Sequence, residues 1–353
     1  MRRASIILIQ LVVLFLLSTF SRGSQQSYDP IIKAARGGDI QHVKEPIVGG
    51  ANANIKTSKG WTPLMVAAYA GRSNVVKDLL KKGIDVNARA NDGVTALMLA
   101  TRNGHADVVN DLLASGADIN ARNVRDVTAL MFAVYSNHAN IINDLLLKGA
   151  DLNVKNSGGA TALMIAASNG SVEIVKTLIK NGADVNARGD NNLTVLMYAS
   201  LHGNIDVIKE LLSKDLDVNA KNNDGTTALM YAVTLDNVDA AKELIARGAD
   251  VNSKNNNGTT CLIIVSLKGH IDSLELLLDS GADVNAKDND GSTALMAASQ
   301  SGFTNIVKDL LASGADVNAK QNDGTTALHI ALNSNAHDKT EVIRLLKEAG
   351  ALQ

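Results

Sequence analysis

Residues 288–319 read DNDGSTALMAASQSGFTNIVKDLLASGADVNA, and they contain the element Thr-x-Leu-Met at Thr293 to Met296. The same threonine recurs at intervals of 33 residues along most of the chain. Its nine occurrences are Thr62, Thr95, Thr128, Thr161, Thr194, Thr227, Thr260, Thr293 and Thr326. Every methionine except the initiator lies three positions after one of these threonines: Met65, Met98, Met131, Met164, Met197, Met230 and Met296. A fixed period near 33 residues predicts a solenoid, whose repeats bury their apolar faces only against their neighbours.

The order of elements within one repeat follows from local signals. A threonine is a good N-cap, and the Pro63 or alanine that follows it suits the first helical position. Leu, Met and Ala then recur at helical spacing until a glycine such as Gly104. A second apolar helix ends at a glycine such as Gly116, and a polar loop leads to the next repeat. Each repeat is therefore predicted to be helix, turn, helix and loop.

These residues resemble the ankyrin repeat, whose pattern is D-x-x-G-x-T-P-L-H-x-A-A, then G-H, V-V-x-x-L-L and G-A-D-V-N-A. The resemblance covers roughly residues 28–353 in ten repeats. It implies an all-α repeat solenoid of helix-turn-helix repeats joined by β-hairpin loops and stacked in a curved array. The expected division is a divergent capping repeat at 24–55, eight full repeats at 56–319 and a C-terminal capping repeat at 320–353.

Glycine recurs at three equivalent positions of the repeats, here called glycine columns, and each position is expected to need positive φ. The residues that replace glycine there are Asp126, Asn137, Asn192, Asp215 and Asp236. All five are Asn or Asp, the residues after glycine that best tolerate the left-handed region. This restriction indicates a backbone constraint in each column.

Two departures from the family pattern predict local differences in structure. The family's histidine, which ties neighbouring loops by hydrogen bonds, survives only at His329, and methionine stands in most other repeats. We therefore expect packing to replace that tether. Pro46 lies where the first repeat should have a second helix, so that helix is expected to be short or kinked.

The first 23 residues are typical of a secretory signal peptide. Arg2 and Arg3 precede an apolar run over 6–17, and small residues follow up to Gly23. The run is shorter than the roughly 20 residues of a membrane helix. We expect cleavage after Gly23 and an exported protein, periplasmic or secreted and of bacterial type. The alternatives are an uncleaved membrane tether and a secreted effector that binds host proteins.

Composition argues against several classes of function. The net charge is −2, aromatic residues make up 3% of the chain, and there is one cysteine, Cys261. We therefore expect no nucleic-acid partner, no disulfide framework and no cysteine zinc site. The seven histidines are scattered, and no metalloprotease, hydrolase or phosphate-loop motif is present. No catalytic residue, metal, cofactor or small-molecule substrate is predicted, and Cys261 is expected to be a small buried apolar residue.

The remaining hypothesis is a monomeric module that binds an unidentified protein, as adaptor, inhibitor or protective scaffold. In the family, hairpin tips and exposed ends of first helices contact partners. The matching residues are Trp61, Tyr69, Arg102, Tyr135, Leu201, His202, Leu235, Leu267 and Lys268. Trp, Tyr and Arg often dominate binding energy, so Trp61, Tyr69, Arg102 and Tyr135 are predicted to form one concave patch. The alternative is that these aromatic residues merely pack along the groove.

A basic residue also stands six positions before each repeat threonine, from Lys56 to Lys320. An acidic partner is one interpretation of this column. The other is a solvated face that pairs in part with a nearby aspartate column, Asp85 to Asp316.

Overall fold

The computed structural model describes residues 30–43, 54–214, 216–336 and 338–352. The predicted signal peptide, the expected distortion at Pro46 and the expected positive φ of Asp215 lie outside these residues. Among the described helices, none combines the length and apolarity needed to cross a membrane. The chain divides into two compact units, here called the N-terminal unit (Met1–Ala162) and the C-terminal unit (Leu163–Gln353).

Helices in the N-terminal unit alternate between first and second helices of the repeats. They are α1 (Pro30–Gly37), α2 (Pro63–Tyr69), α3 (Ser73–Lys81), α4 (Ala96–Arg102), α5 (Ala106–Ala114), α6 (Ala129–Tyr135) and α7 (Ala139–Leu147). First helices pack against first helices of the adjacent repeat, and second helices against second helices. This is the repeat stacking that the 33-residue period predicts.

The C-terminal unit continues the same alternation, starting with a helix whose first residue, Ala162, lies at the boundary. Its helices are α8 (Ala162–Asn169), α9 (Val172–Lys180), α10 (Val195–Leu201), α11 (Ile205–Leu212), α12 (Ala228–Thr234), α13 (Val238–Ala246), α14 (Cys261–Lys268), α15 (Ile271–Asp279), α16 (Ala294–Ser301), α17 (Thr304–Ala312), α18 (Ala327–Asn333) and α19 (Lys339–Glu348). One short 3-10 helix, Asp190–Asn192, interrupts the loop before α10. The all-α repeat solenoid is thus confirmed.

The repeat threonines begin the first helices, as predicted. In α6, for example, Thr128 Oγ1 accepts a hydrogen bond from the backbone N–H of Met131 at 3.3 Å. The same cap is present at Thr62, Thr95, Thr194, Thr227, Thr260, Thr293 and Thr326. Each cap satisfies one of the N–H groups that the first helical turn leaves without a partner, which stabilises a helix by about 1 kcal/mol.

The methionine column lies in the core. Met65, Met131 and Met230 are fully buried beside the leucine of each repeat. At Thr62 the N-cap N–H donates to Sδ of Met65, at 3.4 Å, so the thioether also completes the cap. In the last repeat His329 is exposed, and its Nδ1 lies 2.9 Å from Thr326 Oγ1. Methionine therefore fills the position by packing, as the sequence predicts.

The loops are tighter than the expected β-hairpins. Each reverses direction within a few residues, and two backbone bonds close it, as from Ala90 N to Val94 O and from Gly93 N to Ala90 O, both at 2.9 Å. A further backbone bond joins the tip of each loop to the loop tip of the adjacent repeat, as from Asn91 N to Lys59 O at 3.1 Å. In the described loops the only bridge of β type is an isolated one, between Arg188 and Thr194.

The glycine columns have the positive φ that was expected. Their Asn and Asp substitutes share it, with φ of 56° at Asp126, 60° at Asn137, 59° at Asn192 and 58° at Asp236. Asn191 also has positive φ, at 54°, within the 3-10 turn. The backbone constraint inferred from the sequence is confirmed at the four predicted positions that are described.

Candidate functional site

Two parts of each repeat form one surface, which we call the loop face: the six loop residues before the repeat threonine, and the first helix. Contacts between these parts define it. In one repeat the Asn222 side chain, from the loop, donates to the hydroxyl of Tyr231 on α12 at 3.1 Å. In another, the Trp61 ring lies beside the Tyr69 ring of α2. Loop residues and first-helix residues therefore act together.

The basic column on the loop face forms a ladder between repeats. Lys56 Nζ donates to the carbonyl oxygen of Arg89 at 3.2 Å, and Arg122 Nη2 to that of Lys155 at 3.3 Å. In the C-terminal unit Lys221 Nζ reaches Lys254 O at 2.8 Å. These basic groups thus lie at fixed positions one repeat apart.

The aspartates of the nearby column accept hydrogen bonds within their own turns. Asp85 Oδ1 accepts from the N–H of Asn87 at 2.9 Å, within its own turn. Asn87 Oδ1 accepts in turn from the N–H of Asp118 in the next repeat, at 2.7 Å. The same arrangement recurs at Asp250, Asn252 and Asp283. The aspartates therefore shape turns, and asparagines carry the link between repeats.

The histidines between helices have a structural role. His105 Nε2 donates to the carbonyl oxygen of Tyr69 at 3.1 Å, and His138 Nε2 to that of Arg102 at 3.2 Å. Asparagine makes the corresponding contact at Asn204, whose Nδ2 lies 3.1 Å from Ser168 O. These side chains satisfy carbonyl oxygens at the C-terminal end of the preceding first helix.

An aromatic and cationic cluster is the most distinctive feature of the N-terminal unit's loop face. The ring centroids of Trp61 and Tyr69 lie 5.6 Å apart, with planes inclined at 55°. The Arg102 guanidinium carbon lies 6.0 Å from the centre of the Phe132 ring. Burial lowers the pKa of Arg102, while charge interactions with Tyr69 and Tyr135 act in the opposite direction. The structure therefore brings the four predicted residues of successive repeats into one cluster, in which each is partly exposed.

In the C-terminal unit, one predicted residue lies in the core. Leu201 is only 4% exposed, so it is unavailable at the surface. His202, the next residue, is exposed. Consecutive helical residues point about 100° apart, so only one of the pair faces outward. The other predicted residues of this unit are exposed: Leu235, Leu267 and Lys268.

One exposed apolar residue at a loop tip was not among the predicted site residues. Val124 is 67% exposed and lies beside Arg125, on the same loop face as the cluster. The signal was available, because the corresponding position in other repeats is polar, as at Asn256 and Asn289.

Two features of the described residues concern metal binding and nucleophilic chemistry. No group of three metal-binding side chains occurs among them. Burial raises the pKa of the Cys261 thiol to about 12, so at neutral pH it is protonated and a poor nucleophile.

Comparison with known families agrees with this architecture. A family model described as ankyrin repeats, in three copies, matches residues 31–123, 130–222, 187–255, 210–288, 237–321 and 262–352. No curated protein matches the chain. Because these matches cover most of its length, the chain belongs to the ankyrin-repeat family, whose repeats generally serve as protein–protein interaction modules.

Proposed function

We propose that this protein is a non-catalytic module that binds another protein through the loop face of its N-terminal unit. The observation that carries the proposal is the cluster of Trp61, Tyr69, Arg102 and Tyr135, partly exposed on neighbouring repeats. Trp, Tyr and Arg are the residue types that most often dominate the energy of protein interfaces.

The ladders between repeats support the same proposal energetically. Side chains and backbone groups of adjacent loops are already hydrogen-bonded, as at Lys56 and Asn91. A surface that is ordered before binding loses less conformational entropy when the partner docks. Partner recognition by this face is therefore expected to require little rearrangement.

The proposed setting is an exported compartment, periplasmic or secreted, where the protein acts as an adaptor, inhibitor or protective scaffold. Support comes from the basic start and the apolar run over 6–17. N-terminal sequencing of the mature protein tests this part: a start at Ser24 supports export with cleavage, and an intact Met1 supports a tethered scaffold. Delivery to a host cell as an effector would be recognised by the protein's recovery from host cells.

The binding proposal is tested by affinity capture with the full-length chain. A C-terminal tag leaves N-terminal processing undisturbed, and expression in the native cell presents the natural partners. Trp61→Ala combined with Tyr135→Ala is expected to weaken binding of the captured partner by about 2 kcal/mol or more, roughly 30-fold.

The matched control is Leu147→Ala. This residue is 86% exposed at the end of α7, a second helix, and lies off the loop face. The substitution removes exposed apolar surface without changing the cluster, so the affinity for the captured partner should not change. Unchanged affinity of the Trp61/Tyr135 variant, with the fold intact by circular dichroism, would refute the assigned interface.

A further inference from the structure

The loop face of the N-terminal unit carries a strong local excess of positive charge. Its basic residues are Lys33, Arg36, Lys56, Lys59, Arg89, Arg102, Arg122, Arg125 and Lys155, and its acidic residues are Asp92 and Asp126. In the C-terminal unit the same positions are nearly balanced. The basic residues there are Arg188, Lys221, Lys254, Lys268, Lys287 and Lys320, and the acidic ones are Asp190, Asp224, Asp288, Asp290 and Asp323. Since the whole chain has a net charge of −2, this excess is a property of one face.

Much of the difference arises at one loop position, three residues before the repeat threonine. Lys59 and Arg125 occupy it in two repeats of the N-terminal unit and Asp92 in a third, whereas the C-terminal unit has aspartate there at Asp224, Asp290 and Asp323 and no basic residue. The repeats are otherwise closely similar, so the loop accepts either charge.

The positive charges are held in order along the row of tips. Val124 N donates to Asp92 O, and Ser157 N to Arg125 O, both at 2.9 Å. Together with the bond from Asn91 N to Lys59 O, these contacts place successive tips one repeat apart. Neighbouring repeats pack at roughly 10 Å, so Lys59 and Arg125 lie on the order of 20 Å apart.

Apolar groups lie among these charges. Val124 is exposed beside Arg125, and Trp61 follows Lys59 by two positions. Arg102 is half-buried beside the aromatic rings, so a carboxylate that reaches it interacts in surroundings of lower polarity than bulk water.

We propose that this face recognises an extended acidic segment of the partner protein, in which carboxylates flank an apolar or aromatic residue. The proposal rests on the proposed binding function and specifies its partner. A protein segment fits better than a nucleic acid because Asp92 lies between the two cationic tips. A nucleic-acid strand presents a phosphate about every 3.4 Å and favours an unbroken basic strip.

The test uses a fluorescein-labelled peptide of about 12 residues, long enough to span the tips of Lys59 and Arg125. Glutamates surround a central phenylalanine, and a second peptide has glutamine at every glutamate. Fluorescence anisotropy with the full-length chain should show at least tenfold tighter binding of the acidic peptide. Its affinity should fall as salt rises from about 50 mM to about 300 mM, because screening shortens the range of exposed charges.

Charge-reversal variants of the protein test which basic residues bind the acidic peptide. Lys59→Asp combined with Arg125→Asp should weaken the acidic peptide at least tenfold, and the loop tolerates aspartate there because Asp92 occupies the equivalent position. The control reverses two charges at the C-terminal ends of second helices, Lys81→Glu and Lys148→Glu, and should leave affinity unchanged. Circular dichroism checks that both variants remain folded.

Three outcomes would overturn the proposal. They are equal affinity for the acidic and glutamine peptides, equal loss in the two charge-reversal variants, and tighter binding of a single-stranded oligonucleotide than of the acidic peptide. If the peptides fail while Trp61→Ala with Tyr135→Ala still releases the native partner, the proposed function stands and only the acidic specificity is wrong.

Discussion

Replacing Gly258 with alanine should destabilise the protein more than replacing Gly248, although both glycines have positive φ. Their φ values are 75° and 88°. A Cβ at Gly248 would meet nothing within 4 Å, whereas one at Gly258 would lie 2.7 Å from the backbone nitrogen of Asn289 in the next repeat. The pair therefore separates backbone strain from crowding between repeats.

The magnitudes follow from the contacts. A left-handed conformation costs an alanine about 1–2 kcal/mol, and both variants incur this cost. At Gly258 the neighbouring tip must also move. That movement disturbs the bond from Asn289 N to Asn257 O, 3.0 Å long, and the bond from Asn289 Nδ2 to Asn256 O, 2.9 Å long. With about 1 kcal/mol for each bond, Gly258→Ala should cost about 3–4 kcal/mol.

Urea unfolding followed by far-UV circular dichroism measures the difference. Equal m-values must first be established, because an array of repeats can lose cooperativity when one interface is weakened. Gly248→Asn and Gly258→Asn provide the controls: asparagine tolerates positive φ, so most of the strain disappears and the crowding stays. The reasoning is refuted if the two alanine variants lose equal stability, or if Gly258→Asn is as stable as Gly248→Asn.

Two further predictions concern polar groups in the stack. His138→Ala should lower the free energy of unfolding by about 1 kcal/mol through loss of the bond to Arg102 O. His138→Asn should retain most of the stability because Asn204 makes the corresponding contact, and equal loss in both variants, measured by urea unfolding, would contradict this. Burial raises the pKa of Tyr198 and of Tyr231 to about 12, from 10.0 in the unfolded chain. The folded state therefore holds these protons more tightly, and the stability they contribute should be complete below pH 10 and decrease as the pH rises towards 12. Absorbance at 295 nm should show two tyrosines that ionise late, and ionisation of all tyrosines near pH 10 would be inconsistent with their burial.

The loop tips show how far sequence reasoning reached. Asp126 and Asn192 revealed a column with positive φ because only a few residue types tolerate that conformation. The family resemblance implied β-hairpins, whereas short turns are found, and a tip such as Asn91 donates to a carbonyl group of another repeat. A pattern within one repeat does not specify a bond between repeats.

The candidate site likewise combines residues that the sequence predicted correctly with residues whose exposure only the structure shows. The spacing of Trp61, Tyr69, Arg102 and Tyr135 placed them on successive repeats, and their action as one binding patch stays a prediction. Leu201 matched the same positional rule and is buried, because its orientation depends on which side of the helix its neighbours cover. Val124 was missed although the corresponding positions in other repeats are polar, and its exposure identifies it as a surface residue.

By itself, the sequence determined the period, the helices, their threonine caps and the places where the backbone must turn left-handed. These are properties of residues close together in the chain, repeated often enough to be unambiguous. The sequence did not specify that the basic column bonds to carbonyl groups of the next repeat, or that asparagines such as Asn87 accept from the next turn. Those choices depend on distances between residues about one repeat apart, which arise only when the repeats stack.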